Sequence, residues 1–205
     1  MTHHELYYDT IIKATNAISH CRDPEEVALV SAESVRTVFN AKGCSVFLVD
    51  RETNELKLVA SHGLSQEYLN KGPIHFMQSI SEAKDATPIA IYDIMDDPRI
   101  EYPMEAKKEG IASLLGVPIV SHNKIMGALR LYTAEPWEFS IQDITVVQAI
   151  AQICGMAMDM CRLHKGYKSS IEILKGMRDK DSFDCHKWTP HEGVPTSVSQ
   201  SICDY

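Results

Sequence analysis

Residues 111–133 constrain the fold more than any other stretch of the chain. Ile111 to Val120 and Ile125 to Thr133 are apolar arms around the polar Ser121-His122-Asn123-Lys124, the pattern of an antiparallel hairpin. The second arm alternates, with Leu129 and Leu131 on one side and Arg130 and Tyr132 on the other. A strand of period two puts these pairs on opposite faces of a sheet. The leucine face must be covered by another layer, and helices are available on both sides in sequence. The other face must accommodate a guanidinium. Shielded from water, Arg130 needs an acid partner. An anionic metabolite would supply one, and so would a protein acid such as Asp93; simple exposure near a sheet edge is the plainer alternative.

The covering helices are legible at both ends. Tyr7, Ile11, Ala14 and Ile18 recur at helical spacing. Asp23-Pro24-Glu25-Glu26 reads as a capping box with proline at the first helical position, and Ala28, Ala32, Val35 and Phe39 share the face that follows. A longer helix is predicted from Ser140, with Asp143 completing its capping box and Phe139 placed to staple onto Ile144. Two apolar seams run along it. Ile144, Val147, Ala151, Cys154, Met158 and Cys161 form one, which turns polar at Lys165, Lys168 and Glu172. The other, Val146, Ile150, Ile153, Ala157 and Met160, continues through Tyr167, Ile171 and Leu174. The first suits the protein's own sheet and the longer one a second copy of the chain, unless both form one wide face packed on the first helix.

Between these ends lie two further strands, Ser45 to Asp50 and Leu56 to Ser61, with Leu56, Leu58 and Ala60 expected on one side. Residues 65–111 are less regular. Ile74 to Met77 reads as a short strand, Gln78 to Lys84 as a helical turn, and Pro88 to Tyr92 as a strand. Asp97-Pro98 reads as a helix start with Gly110 as its stop, and Pro103, awkward in between, predicts a broken or short helix. Past Gly176 periodicity fades, and residues 181–205 read as an extended tail.

The 205 residues, 44% hydrophobic and 23% charged, suffice for one core. Twenty Lys+Arg against 28 Asp+Glu give a formal charge of −8 with no basic run, which argues against a nucleic-acid binder. No apolar run reaches membrane length and no signal pattern opens the chain, so the reading is cytoplasmic. The six cysteines (Cys21, Cys44, Cys154, Cys161, Cys185, Cys203) are scattered and read as reduced thiols.

The order helices, hairpin, irregular middle, hairpin, long helix resembles the GAF domain. The matching segments are Cys44 to Asp50, Leu56 to Leu64, Thr87 to Asp93 with Asp97-Pro98-Arg99, Gly110 to Ile119, and Ile125 to Leu129. The resemblance spans about residues 5–165. It implies an α+β fold with a central antiparallel sheet of five or six strands. N- and C-terminal helices would cover one face, and an irregular region on the other would enclose a small-molecule pocket. The expected organisation is an N-terminal helix over 1–20, a GAF-like domain over 21–165, a helix extension over 166–180 and the tail over 181–205.

What the resemblance implies for function is a non-enzymatic sensor in signal transduction. It would bind an unidentified small ligand and act, as a dimer through Ile153, Met160, Tyr167, Ile171 and Leu174, on a separate and unknown protein. The candidate ligand contacts are His62, Asp93, Tyr102, Ser113, Arg130 and Tyr132. An interaction module with a vestigial pocket is the alternative. Bilin-binding members and reductases of free methionine sulfoxide need a pocket thiol, and no cysteine lies between Cys44 and Cys154. A redox enzyme would therefore need Cys44 to point into the pocket. Cyclic-nucleotide members carry Asn-Lys, Phe and Asp-Glu; here Asn123-Lys124, Phe139 and Asp143 match, but Ile144 follows. A hairpin turn, a staple and a cap account for the same residues. His62 and His75 stand alone and read as hydrogen-bonded or exposed histidines. Asp93, Asp96 and Asp97 could bind a cation, but strand termination and a helix cap account for them more simply. The tail set Cys185-His186, His191 and Cys203 matches no common zinc spacing. Which cofactor, if any, the pocket takes is left open.

Overall fold

The structure is a computed structural model that describes residues 3–187 apart from 51, 54, 73 and 76–86. The chain divides into a compact unit, Met1–Arg162, and a second unit, Leu163–Tyr205. The elements are α1 (His3–Ser19), α2 (Pro24–Val38), β1 (Gly43–Val49), β2 (Glu55–His62), α3 (Gln66–Leu69), β3 (Ile74–His75), β4 (Ile89–Ile91), α4 (Pro103–Glu109), β5 (Ser113–Ser121), β6 (Lys124–Thr133) and α5 (Ile141–Lys187).

The strands form one six-stranded antiparallel sheet in the order β3-β2-β1-β6-β5-β4. The expected β5–β6 hairpin is present. It closes through His122 and Asn123, both at positive φ (49° and 57°), a two-residue turn whose twist matches that of the flanking strands.

The helices share one face. Ala14 and Ile18 of α1, Val27 and Val35 of α2, and Val147, Ile150 and Cys154 of α5 pack in one core with Cys44, Val46, Leu115, Val117, Leu129 and Leu131 of the sheet. Each full aliphatic burial there supplies roughly 1.5–3 kcal/mol relative to exposure. α5 begins with the expected reciprocal cap: Ser140 N–H donates to Asp143 (2.9 Å), and Asp143 N–H donates to the Ser140 hydroxyl (3.1 Å). Asp143 also accepts from the Tyr7 hydroxyl at 2.5 Å, tying α5 to α1.

Several sequence expectations need correction. Leu56 and Ala60 face opposite sides: Leu56 packs with Phe47 and Ile74, Ala60 with the helix-side core, and Leu58 is 40% exposed. The cause is a bulge: Val46 pairs with Ala60 but Phe47 with Leu58, which leaves Val59 over and reverses the alternation. The Asp23 side chain makes no capping hydrogen bond, and Glu26 accepts from Arg22 N–H (3.0 Å) instead. The helix expected from Asp97 starts at Pro103 itself, where the fixed φ and missing N–H cost nothing; Gly110 ends it in the left-handed conformation (φ 75°).

Val146 and Ile150, placed on the seam for a partner, are buried in the chain's own core; Met160 on that seam is 71% exposed. The helix runs to Lys187, past the position where the tail was expected to begin. Gln78 to Lys84 and residues 188–205 lie outside the described residues. By length and composition Ile141–Met177 could cross a membrane, though a core helix passes the same test. Here Val147, Ile150, Ala151, Cys154 and Met158 are committed to the core.

Candidate functional site

On the face away from the helices, two apolar clusters flank a gap. One holds Phe47, Leu56, Ile74 and Ala128; the other holds Tyr68, Ile89, Ile91, Leu114 and Tyr132. A cavity of about 30 Å³ opens there, lined by apolar side chains from β3, β4 and β5 and by Tyr68, Lys71, Arg99, Glu101, Tyr102 and Arg130.

Short elements position the polar lining. The Ser65 hydroxyl caps α3 by accepting from Tyr68 N–H (3.2 Å), and it donates to Glu109 at the end of α4. Ser65 N–H donates to the other Glu109 oxygen at 2.9 Å, and the Lys42 ammonium stands 3.8 Å away. Partial burial works against charge on Glu109, but these hydrogen bonds and the nearby lysines outweigh it and hold the carboxyl below its usual range. α3 is thereby clamped to α4, with Tyr68 turned inward. Its ring meets Tyr132 edge-on (5.9 Å, 86°).

One turn on, Lys71 reaches back over that ring. Its ammonium lies 3.4 Å from the Tyr68 centroid and donates to the Tyr68 carbonyl at 3.3 Å. Burial, then the positive charge of Arg130, pushes the Lys71 pKa down to about 8 against the pull of Glu101, Glu109 and Glu105. Arg130 lies with its guanidinium carbon 5.4 Å from the Phe47 centroid, so both cations have aromatic faces beneath them. The backbone at Gly72 passes close to Tyr102, where a Cβ would come within 2.6 Å of the phenol oxygen.

Of the six residues singled out from the sequence, Tyr102 and Arg130 line the cavity. The other four lie elsewhere. His62 ends β2 with its ring 3.5 Å from Arg36 of α2. Asp93 is exposed and accepts from Met95 N–H at 2.8 Å, an Asx turn. Ser113 is buried, donating to the Tyr92 carbonyl (2.5 Å) and accepting from Trp137 N–H (2.8 Å). Tyr132 is buried beneath Tyr68, and its hydroxyl accepts from Ser45 at 3.2 Å. Tyr68, Lys71, Arg99 and Glu101 are functional candidates that sequence reasoning missed. Tyr68 and Lys71 stand three residues apart, a spacing that brings side chains together on one helical turn, and this was the available signal.

The remaining chemical readings can be placed as well. Cys44 and Cys154 are buried on the helix side of the sheet, and burial pushes both thiols up, Cys154 to about 11. Asn123 sits in the hairpin turn, while Asp143 is occupied by its cap, by Tyr7 and by the Trp137 indole at 3.5 Å. Asp97 forms an ion pair with Arg99 at 2.5 Å. His75 is placed by its backbone in β3; His191 and Cys203 lie outside the described residues.

Solved structures share this architecture. The GAF domain of a phosphoenolpyruvate-protein phosphotransferase from Coxiella burnetii is 18% identical with a TM-score of 0.70, over 81% of this chain and 99% of that one. The free methionine-R-sulfoxide reductase of Neisseria meningitidis is 17% identical with a TM-score of 0.64, over 77% and 91%. At such identities the likeness is one of fold. In sequence, the chain is 22% identical over 160 residues to the formate hydrogenlyase transcriptional activator of Salmonella typhimurium (strain SL1344), covering 73% of this chain. The chain spans only 22% of that activator's length. The sequence pattern that defines the GAF domain matches residues 21–159. GAF domains are commonly small-molecule-binding sensors within signalling proteins. By that match and by the fold, this chain belongs to the GAF domain family.

Proposed function

We propose that the protein is a non-enzymatic regulatory domain of the cytoplasm, one that binds a small molecule on the sheet face opposite its helices and passes the bound state to a separate protein as a dimer. The observation that carries this reading is the cavity. It combines an apolar floor with converging polar heads, Lys71, Tyr102 and Arg130, the usual build of a small-molecule site. Cys44 and Cys154, on the far side of the sheet with raised thiol pKa values, weigh against a thiol-dependent reductase. The Salmonella activator, to which the chain is similar, supports a signalling context.

A second reading, an interaction module with a vestigial pocket, draws on the small cavity volume of about 30 Å³. Native mass spectrometry of freshly purified protein separates the two. A sensor retains a small molecule at dimer mass, and removing that molecule lowers Tm, since a ligand of the folded state alone stabilises it. A clean polypeptide mass, with no small molecule able to raise Tm, would favour the interaction module.

A further inference from the structure

The described lining of the cavity carries more positive charge than negative. Three cations and one carboxylate, Glu101, stand on its described lining. Arg99 is answered by Asp97, and Glu109 is engaged by Ser65 and Lys42. Among the described residues, no carboxylate lies within ion-pair distance of Lys71 or Arg130. Both heads rest on ring faces, Tyr68 and Phe47, which anchor the cations without consuming all their N–H donors. Lys71 spends one donor on the Tyr68 carbonyl. Two remain, and a guanidinium offers five in a planar fork. Two such groups on one partly shielded cavity repel each other, and a guest bearing negative charge relieves both. Its size is bounded too. A cavity of about 30 Å³ has room for about two waters, or for an ion of a few heavy atoms.

We propose that this cavity takes a small oxyanion, a carboxylate or phosphate-type group, gripped between the Lys71 ammonium and the Arg130 guanidinium. The proposal rests on the sensor reading above and names the ligand class for it. Arg130 supplies the paired donors that match two oxygens, and Lys71 supplies a point charge. Tyr102 stands on the same lining as a third polar head.

The test uses the full chain with acetate and inorganic phosphate as probes, chloride holding ionic strength constant, read by calorimetry and by Tm. At least one probe should bind and raise Tm. Lys71→Gln and Arg130→Gln should each weaken binding roughly tenfold or more, as expected for losing a charge-assisted hydrogen bond. Arg130→Lys should recover only part of the loss, because it keeps the charge and loses the fork. Should Arg130→Gln not fold, Lys71→Gln decides, since its side chain is only half-buried beyond the end of α3. The proposal is overturned if neither probe binds at fixed ionic strength, or if Lys71→Gln binds as tightly as the parent. If both probes fail while the purified protein retains a neutral molecule, the oxyanion is wrong and the sensor reading stands. If both fail and nothing is retained, the two fall together.

Discussion

Asp143 shows how much a single side chain can hold. Its carboxylate caps α5, accepts from the Tyr7 hydroxyl of α1 and receives the Trp137 indole. Burial alone would raise its pKa, but the hydrogen bonds from Tyr7, Ser140 and Trp137 outweigh burial and hold the carboxyl below its usual range. The same contact acts on Tyr7, whose pKa is pushed up to about 12, first by burial and then by the bond to Asp143. A carboxyl more acidic folded than unfolded stabilises the native state above about pH 4 and loses that contribution as pH falls through its folded pKa. Asp143→Asn should therefore cost about 2 kcal/mol at pH 7, and the gap from the parent should narrow below about pH 4. Urea denaturation at pH 7 and pH 3.5 reads both, and a gap independent of pH would count against the charged role. Lys71 runs the other way. An unfolded lysine still binds its proton where the folded one, near pH 8, has lost it, so from there to about pH 10 stability rises with pH. In the same interval the cavity loses a cation. Affinity for acetate or phosphate should fall as pH passes 8, where Lys71, faced by Arg130, Glu101, Glu105 and Glu109, loses its proton; a flat profile would remove Lys71 from the grip.

Among the elements, β1 and β6 run side by side at the centre of the sheet, and Gly127 sets their approach. A Cβ there would lie 1.9 Å from the Phe47 carbonyl oxygen, a backbone atom that cannot swing aside. Gly127→Ala should cost about 3 kcal/mol or more by forcing the strands apart; an unchanged urea midpoint would mean that the ladder yields. The faces of β6 were legible in the sequence because period two leaves no freedom once Leu129 and Leu131 are assigned to the core. That logic failed on β2, where the extra Val59 reverses the faces of Leu56 and Ala60 and no turn residue marks the bulge. The cap of α5 was legible because its partners are local. Lys71 and Tyr68 were not, because their placement depends on Glu109, forty-four positions from Ser65, closing over α3. His62, Asp93, Ser113 and Tyr132 are the other candidate contacts, and each has a polar partner within the fold.

For the whole molecule, the remaining question is where apolar surface without a use inside one chain is meant to go. Val146 and Ile150 answer it for the first turns of α5 by entering the core. Beyond them Met160, Tyr167, Ile171 and Leu174 are 71%, 69%, 52% and 65% exposed, and they recur at the threes and fours of a helix seam. Scattered surface apolars are ordinary, but a seam maintained at this spacing suits a like helix, since knobs of one copy find holes in the other. A paired helix would also give a ligand-dependent change in each domain a common route to a third protein. Placing charge on the seam should then release monomers: Ile153→Glu with Met160→Lys, and separately Tyr167→Glu with Leu174→Lys. The second pair matters because Ile153 also packs against the core, so its loss could act through folding, whereas Tyr167 and Leu174 are exposed in the single chain. Sedimentation velocity should show monomer for both pairs, with the Tyr167 and Leu174 variant keeping the parent's fold by circular dichroism. A dimer that survives both pairs of changes would assign its interface to another face.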